Sequence, residues 1–199
     1  MPPFITFEGP DGAGKSTQVE LLRTALGARS PLVVREPGGT PLGERVREVL
    51  LHGDSISAEA EMLLFMAARA ELLAELIRPA LKAGRIVIAD RYHDSTLAYQ
   101  GGGRGMETWW PSDFPRPDRT FLLRMPSAEA CFERIRGAGK RADRMESAGL
   151  DFHRRVVAAY DHLAAEDPLR WVVLDATKPP EEVHRGVMAA LESLLVPVP

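Results

Sequence analysis

Five short runs of apolar and β-branched residues lack helical spacing: Phe4 to Glu8, Leu32 to Arg35, Arg85 to Asp90, Thr120 to Leu123 and Trp171 to Asp175. Runs of this length with few polar interruptions read as strands buried on both faces. Between them apolar positions recur at helical spacing, as in Val19, Leu21, Leu22 and Leu26. They predict helices over Lys15–Leu26, Leu42–Leu51, Ala58–Lys82, Ala128–Arg136, Leu150–Glu166 and Glu181–Leu195. Ser57, Ser127 and Pro180 supply start signals, and Gly27, Gly53 and Gly84 supply stops. Pro79 lies inside the third of these helices, where its missing N–H and its ring predict a kink or an early end. The stretches between strands are long enough for crossovers, so the strands should run parallel with helices on both faces. The expectation is a three-layer α/β fold in one domain over residues 1–199, with residues 196–199 a frayed tail.

Composition narrows the classes of function. A chain of 199 residues, 45% hydrophobic, can bury a full core in one unit. Its formal charge of -3 gives no global attraction for polyanions, so nucleic acid is not an expected partner. The single cysteine, Cys131, rules out an internal disulfide and points to a reducing compartment. The 5 histidines lack the spacing of a metal site. With no basic and apolar leader and no long apolar run, the expectation is a cytoplasmic protein without membrane contact.

The chemistry starts at the end of the first strand. Gly9-Pro10-Asp11-Gly12-Ala13-Gly14-Lys15-Ser16-Thr17 follows that strand directly and opens a helix, the order of a P-loop. Such a loop wraps backbone N–H groups around a β-phosphate. Lys15 can then reach the β/γ oxygens, and Ser16 can offer its hydroxyl to Mg²⁺. The chain contains no asparagine, which excludes the Asn-Lys-x-Asp guanine box of P-loop switch proteins. In open parallel sheets ligands sit beyond the carboxyl ends of the strands, so the polar residues after each strand belong together. After the second strand come Arg35-Glu36-Pro37-Gly38-Gly39-Thr40; after the third, Asp90-Arg91-Tyr92, then Ser95, Thr96, Tyr99 and Gln100. Asp90 closes the apolar run Ile86-Val87-Ile88-Ala89 as a magnesium-holding carboxylate does. By itself it reads equally well as a surface ion pair, and the adjacent P-loop favours the metal.

Phe65 and Arg69 stand four residues apart on one helical face, an aromatic ring beside a fork of donors, which suits a planar base. Their spacing with Leu64, Leu72 and Leu76 fits core packing as well. Arg134, Arg136, Lys140, Arg141 and Arg144, interleaved with Gly137 and Gly139, outline a short basic lid over about residues 137–147. A solvated charged turn has that composition too. Phosphoryl transfer, however, needs cations on charge that develops between donor and acceptor, and a closing loop can deliver them.

Taken in order, these boxes resemble the thymidylate (dTMP) kinases of bacterial type. The match runs through Glu8 to Thr17, Arg35 to Thr40, Phe65 to Arg69, Asp90-Arg91 with Ser95 to Gly101, and Phe152 to Tyr160. The resemblance implies transfer of the ATP γ-phosphate to dTMP with Mg²⁺ held at Ser16 and Asp90. It also implies a five-stranded parallel sheet flanked by helices and a homodimer formed through helices. By matching position, Asp11 would contact the sugar 3′-OH, and Arg91 with Arg35 or Arg47 would hold the acceptor phosphate. Phe65 would stack on thymine, Arg69 would bond its O4, Thr96 would read N3, and Tyr99 would face C2′. Pro37, Ser95, Gln100 and Tyr160 complete the implied acceptor set. Position 12 is glycine where some members carry an arginine, so Arg141 and Arg144 of the lid are the expected transition-state cations.

Two departures stand out. Residues 106–116 are too short and too rich in proline and tryptophan for the helix the family carries there, which bears on the dimer contact. Arg124 also occupies a position where bacterial members usually show an acidic residue. Two other readings stay open at this level: a related kinase for another small nucleotide or nucleoside, and a regulatory P-loop protein that binds ATP.

Overall fold

A computed structural model describes residues 2–137 and 143–195. Strands β1 (Phe4–Glu8), β2 (Leu32–Arg35), β3 (Val87–Asp90), β4 (Arg119–Arg124) and β5 (Trp171–Asp175) form one parallel sheet in the order β2-β3-β1-β4-β5. The P-loop strand is therefore central. Phe7 stands opposite Asp90 on one side and Phe121 on the other, while Arg35 stands opposite Asp90 across the next ladder. β3 starts two residues later than the sequence pattern suggests and β4 runs one residue further at each end, within the usual fraying of such boundaries.

Both faces of the sheet are covered, which is why its strands read as nearly continuous apolar runs. On one face Ile5, Phe7, Ile88 and Phe121 pack against α1 (Lys15–Ala25) and α8 (Pro180–Leu195) through Val19, Leu22, Val187 and Leu191. On the other, Phe4, Val87 and Ala89 meet the helix that follows α2 (Pro41–His52), and Leu122 and Trp171 meet α7 (Leu150–Glu166) through Phe152, Val156 and Tyr160. Strand alternation sends Glu8 to this second face, where it is fully buried.

The single long helix expected over residues 58–82 is divided. α3 (Ala58–Leu72), capped by the Ser57 hydroxyl on Ala60 N–H, widens into a π-helical stretch, Leu73–Ile77, before α4 (Arg78–Lys82). Pro79 thereby falls in a first turn, where its missing N–H costs little, and the wider turn before it takes up the disturbance. α5 (His93–Thr96) likewise runs into a π-helical stretch, Leu97–Gly103. Residues 106–116 form no helix. Trp110 packs edge-on to Tyr92 and His93, and Phe114 is buried beside His93. Arg124 pairs at the surface with Asp161 of α7 at 2.9 Å. The remaining helix, α6 (Ala128–Gly137), carries the basic residues Arg134 and Arg136 at its end. Among the described residues no helix is long and apolar enough to cross a membrane, and no group of three metal-ligating side chains converges.

Candidate active site

The carboxyl ends of β1, β2 and β3 open into a cleft of about 620 Å³. At its floor the chain leaves β1 through Gly9, whose φ of 134° suits glycine and where a Cβ would stand 2.7 Å from the Leu123 carbonyl oxygen. Gly14, at φ 91°, turns the chain into α1. The Lys15 ammonium donates to the carbonyls of Gly9 at 3.0 Å and Pro10 at 2.8 Å. Burial, reinforced by the positive charge of Arg91, pushes Lys15 down to about 8. Ser16 donates its hydroxyl to Asp90 at 2.5 Å, so two hard oxygen ligands meet at the mouth of the loop.

Arg91 governs the middle of the cleft. Its backbone is left-handed, with φ of 71°, and its N–H bonds Phe7 O at 3.0 Å, so the residue is tied to β1 just beyond the end of β3. The guanidinium Nη1 donates to Gly9 O at 3.0 Å, Ser95 Oγ at 3.1 Å and Tyr160 OH at 3.2 Å. Nη2 pairs with Asp11 and donates to Tyr99 OH at 3.1 Å, and Tyr99 in turn donates to the second Asp11 oxygen at 2.8 Å. Burial would raise the Asp11 carboxyl, but the charges of Arg91 and Lys15 and the Tyr99 hydroxyl outweigh it and hold the group at about 2.

Beneath this network lies Glu8, which accepts from Tyr92 N–H at 2.7 Å, Ser95 Oγ at 2.6 Å and Tyr160 OH at 2.9 Å. Burial first, and the neighbouring Asp94 carboxylate second, push Glu8 up to about 7 against the pull of Ser95 and Arg91. Glu36 also faces the cleft. One of its oxygens takes the Arg69 ion pair at 2.6 Å, the other has no partner among the described residues, and burial raises its carboxyl.

Strand, phosphate-binding loop and helix, with an arginine and an acidic network facing the loop across one cleft, constitute a nucleotide kinase arrangement, and comparison with known proteins specifies it. Residues 7–187 match the family model described as thymidylate kinase. The chain belongs to the thymidylate kinase family. It is 51% identical over 201 residues to the thymidylate kinase of Thermomicrobium roseum, an alignment covering 96% of this chain and 95% of that one. The thymidylate kinase of Desulfovibrio desulfuricans is 44% identical over 208 residues, covering 96% of each. Among solved structures, a crystal structure of thymidylate kinase from Ehrlichia chaffeensis superposes with a TM-score of 0.76 at 31% identity, covering 96% of this chain and 98% of that chain.

Within this thymidylate kinase cleft the expected residues divide. Asp11, Gly12, Gly14, Lys15, Ser16 and Thr17 line it, while Gly9, Pro10 and Ala13 frame the loop without lining it. Arg35, Pro37, Arg47, Phe65, Asp90, Arg91, Ser95, Thr96, Tyr99 and Gln100 also line it, so three strand ends and α2, α3 and α5 meet there as the sequence pattern suggests. Arg47 is steadied by donation to Pro37 O at 2.9 Å, and Arg35 by Glu44 at 3.1 Å.

Three expected residues do not line the cleft. Tyr160 does not line the cleft; it is buried beneath Arg91, where its hydroxyl joins Glu8 to the guanidinium. Arg69 stands behind the wall rather than on it. It is 2% exposed, and Glu36, Tyr92 O, Thr96 Oγ1 at 2.9 Å and His93 Nδ1 at 3.1 Å together engage all its nitrogens, leaving no free N–H for a base. Burial and the Arg69 charge push His93 down to about 3, so its neutral ring accepts from Arg69 while Nε2 donates to Trp109 O. Arg144 points away from the cleft, donating to Leu50 O at 2.8 Å and pairing with Glu61 at 2.8 Å. In this arrangement it is engaged by α2 and α3 and not aimed at the cleft. Arg141, the other candidate, lies outside the described residues, as does the segment 138–142 of the expected lid.

Arg134, noted above only as part of the basic cluster, lines the cleft, as do Asp143 and Glu146, which sequence reasoning missed. For Arg134 the signal is its place in the last turn of α6, among the basic residues already noted. For the other two it is the Asp-x-x-Glu spacing. Asp143 caps Glu146 N–H at 2.9 Å and Glu146 caps Asp143 N–H at 3.0 Å, a reciprocal box.

Proposed function

We propose that this cleft is where dTMP accepts the γ-phosphate of ATP, and that Arg91 joins the two halves of the reaction. As a member of its family the chain phosphorylates dTMP to dTDP with ATP as donor. The observation that carries the site assignment is the Arg91 guanidinium, held between the Gly9 carbonyl of the phosphate loop and the Asp11–Tyr99 pair. A cation fixed there meets charge that develops on the transferred group without reorganising, the largest source of rate in phosphoryl transfer. Lys15 exchanges its two loop carbonyls for phosphate oxygens on ATP binding. Phe65 supplies a face for the base, Thr96 and Gln100 its polar edge, Asp11 the sugar hydroxyl contact and Tyr99 the wall at C2′. Arg35 and Arg47 hold the acceptor phosphate, and Ser95 fixes the Arg91 geometry. Arg69 acts on the base through Thr96, whose oxygen it holds. The cation on the donor side is Arg134, with Arg141 joining it from the lid.

Ser16 and Asp90 fit Mg²⁺: both are hard oxygen ligands, already in contact, at the mouth of a phosphate loop. When bound there the ion neutralises phosphate charge. The enzyme acts in the cytoplasm as a homodimer. Support for the dimer comes from Leu42 and Val49 on α2 and Leu63 on α3, which are 43%, 44% and 59% exposed on adjoining helices. Sedimentation at micromolar concentration tests it, a monomer overturning it.

The function itself is tested by ADP release with a panel of nucleoside monophosphates. Strong preference for dTMP is expected. Equal use of dCMP or dUMP would reassign the acceptor, and absence of turnover with all of them would leave an ATP-binding protein.

A further inference from the structure

Beside the main cleft lies a second cavity of about 320 Å³, bordered by Glu61, Arg104 and Arg144 with Ser55 and Ile56. Glu61 belongs to the first turn of α3, and its side chain is 1% exposed. One of its oxygens accepts from Gln100 Nε2 at 3.0 Å and Arg104 Nε at 3.2 Å. The other accepts from Arg104 Nη2 at 3.0 Å and pairs with Arg144 Nη2 at 2.8 Å. Burial opposes its charge, yet these hydrogen bonds hold its carboxyl below the usual range and favour the ionised form. Arg144 is pinned twice more, through its N–H to Leu51 O at 3.1 Å and its Nε to Leu50 O at 2.8 Å, both at the end of α2.

The consequence lies in which way the chain faces. While the Arg144 side chain turns toward Glu61, its neighbours Asp143 and Glu146 line the main cleft, and Met145, whose sulfur lies 3.7 Å from Arg144 Nη2, borders it as well. Gln100, the uncharged partner of Glu61, lines that same cleft from the π-helical stretch after α5. Glu61 itself does not line it.

We infer that Glu61 is a positioning residue of the transfer reaction: through Arg144 it rivets residues 143–146 against the cleft, and through Gln100 it sets the acceptor wall. Without its charge two guanidinium groups would face each other across the cavity and the rivet would open. Displacement of cleft residues by about 1 Å can cost on the order of 10²-fold in rate. The inference rests on the reading of the cleft as a dTMP kinase site.

Steady-state kinetics of Glu61→Gln, Arg144→Gln and the double variant decide it. Each single change should lower kcat by about tenfold, Glu61→Gln should also raise the KM for dTMP through the released Gln100, and the double variant should lose no more kcat than the worse single one. Multiplying losses, or normal kcat in Glu61→Gln beside an inactive Arg144→Gln, would make Arg144 a direct participant and overturn the inference. Glu61→Asp keeps the buried counter-charge on a shorter arm and carries the test if the glutamine variant does not fold; it should show the same signature at smaller size, and wild-type kinetics would overturn the proposal. A wild-type enzyme inactive on dTMP overturns both this inference and the function beneath it, whereas an active wild type matched by the Glu61 variants overturns this inference alone.

Discussion

Two regions of the cleft, the end of β3 and the end of α6, hold their positive charge by opposite means. On the side of Asp11 and Tyr99, Arg91 is 14% exposed at its side chain and meets the Gly9 carbonyl, Ser95, Tyr160, Asp11 and Tyr99, with Glu8 buried behind the whole set. Beside Gly12 of the phosphate loop Arg134, at the end of α6, has a thioether contact with Met125 at 3.5 Å and no carboxylate partner among the described residues. The first cation is built into the folded chain, so its stabilising energy is present before any ligand arrives. The second keeps the freedom to follow a group that enters. A cleft that must both fix an acceptor and admit and release a donor gains from having one of each.

The sharpest way to break this contrast is Arg91→Ala. Turnover should fall about 10³-fold or more, roughly 4 kcal/mol of transition-state stabilisation, and the melting temperature should fall with it, because Glu8 and Asp11 lose their shared counter-charge. Activity lost at unchanged melting temperature would show that the network does not support the fold. Lys15→Ala should cost about 10²-fold or more in kcat with no loss of thermal stability, since burial already works against that ammonium. A clear drop in melting temperature would refute this. Arg134→Ala should lower kcat by roughly tenfold and leave the melting temperature alone; unaffected kinetics would remove it from the site.

The pH dependence of stability sharpens the same comparison. Glu8 is raised from 4.5 to about 7 on folding, so between those values the native state holds the extra proton and its contribution to stability falls as pH rises. Lys15 is lowered from 10.5 to about 8, so over that window the unfolded chain holds the extra proton and stability rises with pH. Denaturant unfolding of wild type against Glu8→Gln should give a difference that changes between pH 4.5 and 7. A constant difference would mean Glu8 does not titrate there. The smallest effect belongs to Tyr99→Phe, which should cost a few-fold in kcat yet keep the preference for deoxy over ribo acceptors, because the ring remains. Tyr99→Ala should relax that preference, and an unchanged ratio would reduce the ring to a packing residue.

Most of what lies next to a strand end was readable in the chain. Asp11, Ser16, Arg35, Asp90 and Arg91 sit where a parallel sheet puts ligands, and local spacing alone brings them together. The expected residues that stand off the cleft share a different cause. Arg69, Arg144 and Tyr160 each lie on a helix or loop near the cleft, and what decides their role is the direction of one side chain. Arg69 turns inward because Glu36, opposite it, is buried with an oxygen to satisfy. Arg144 turns outward because Glu61 is. Both partners sit on other elements, so no periodicity within one segment could show the pairing. The division of the helix at Leu73–Ile77 was half visible: Pro79 gave the disturbance, while the wider turn that absorbs it depends on packing against the sheet.

The central place of β1 has a consequence for synthesis of the protein. Its neighbours in the sheet are β3 and β4, both much later in the chain, so the strand that carries the phosphate loop leaves the ribosome with nothing to pair with. Glu8 waits 84 positions for Tyr92 and 152 positions for Tyr160. At about 5–20 residues per second, the second delay lasts on the order of ten seconds or more. Until β3 and β4 are made, Phe4, Ile5 and Phe7 lack their neighbours in the sheet, and until residue 91 is made the loop after them has no Arg91 across from it. The nascent chain therefore depends on what shields this short apolar strand until its partners follow, and nucleotide binding can assist folding only after the later strands of the cleft have been made.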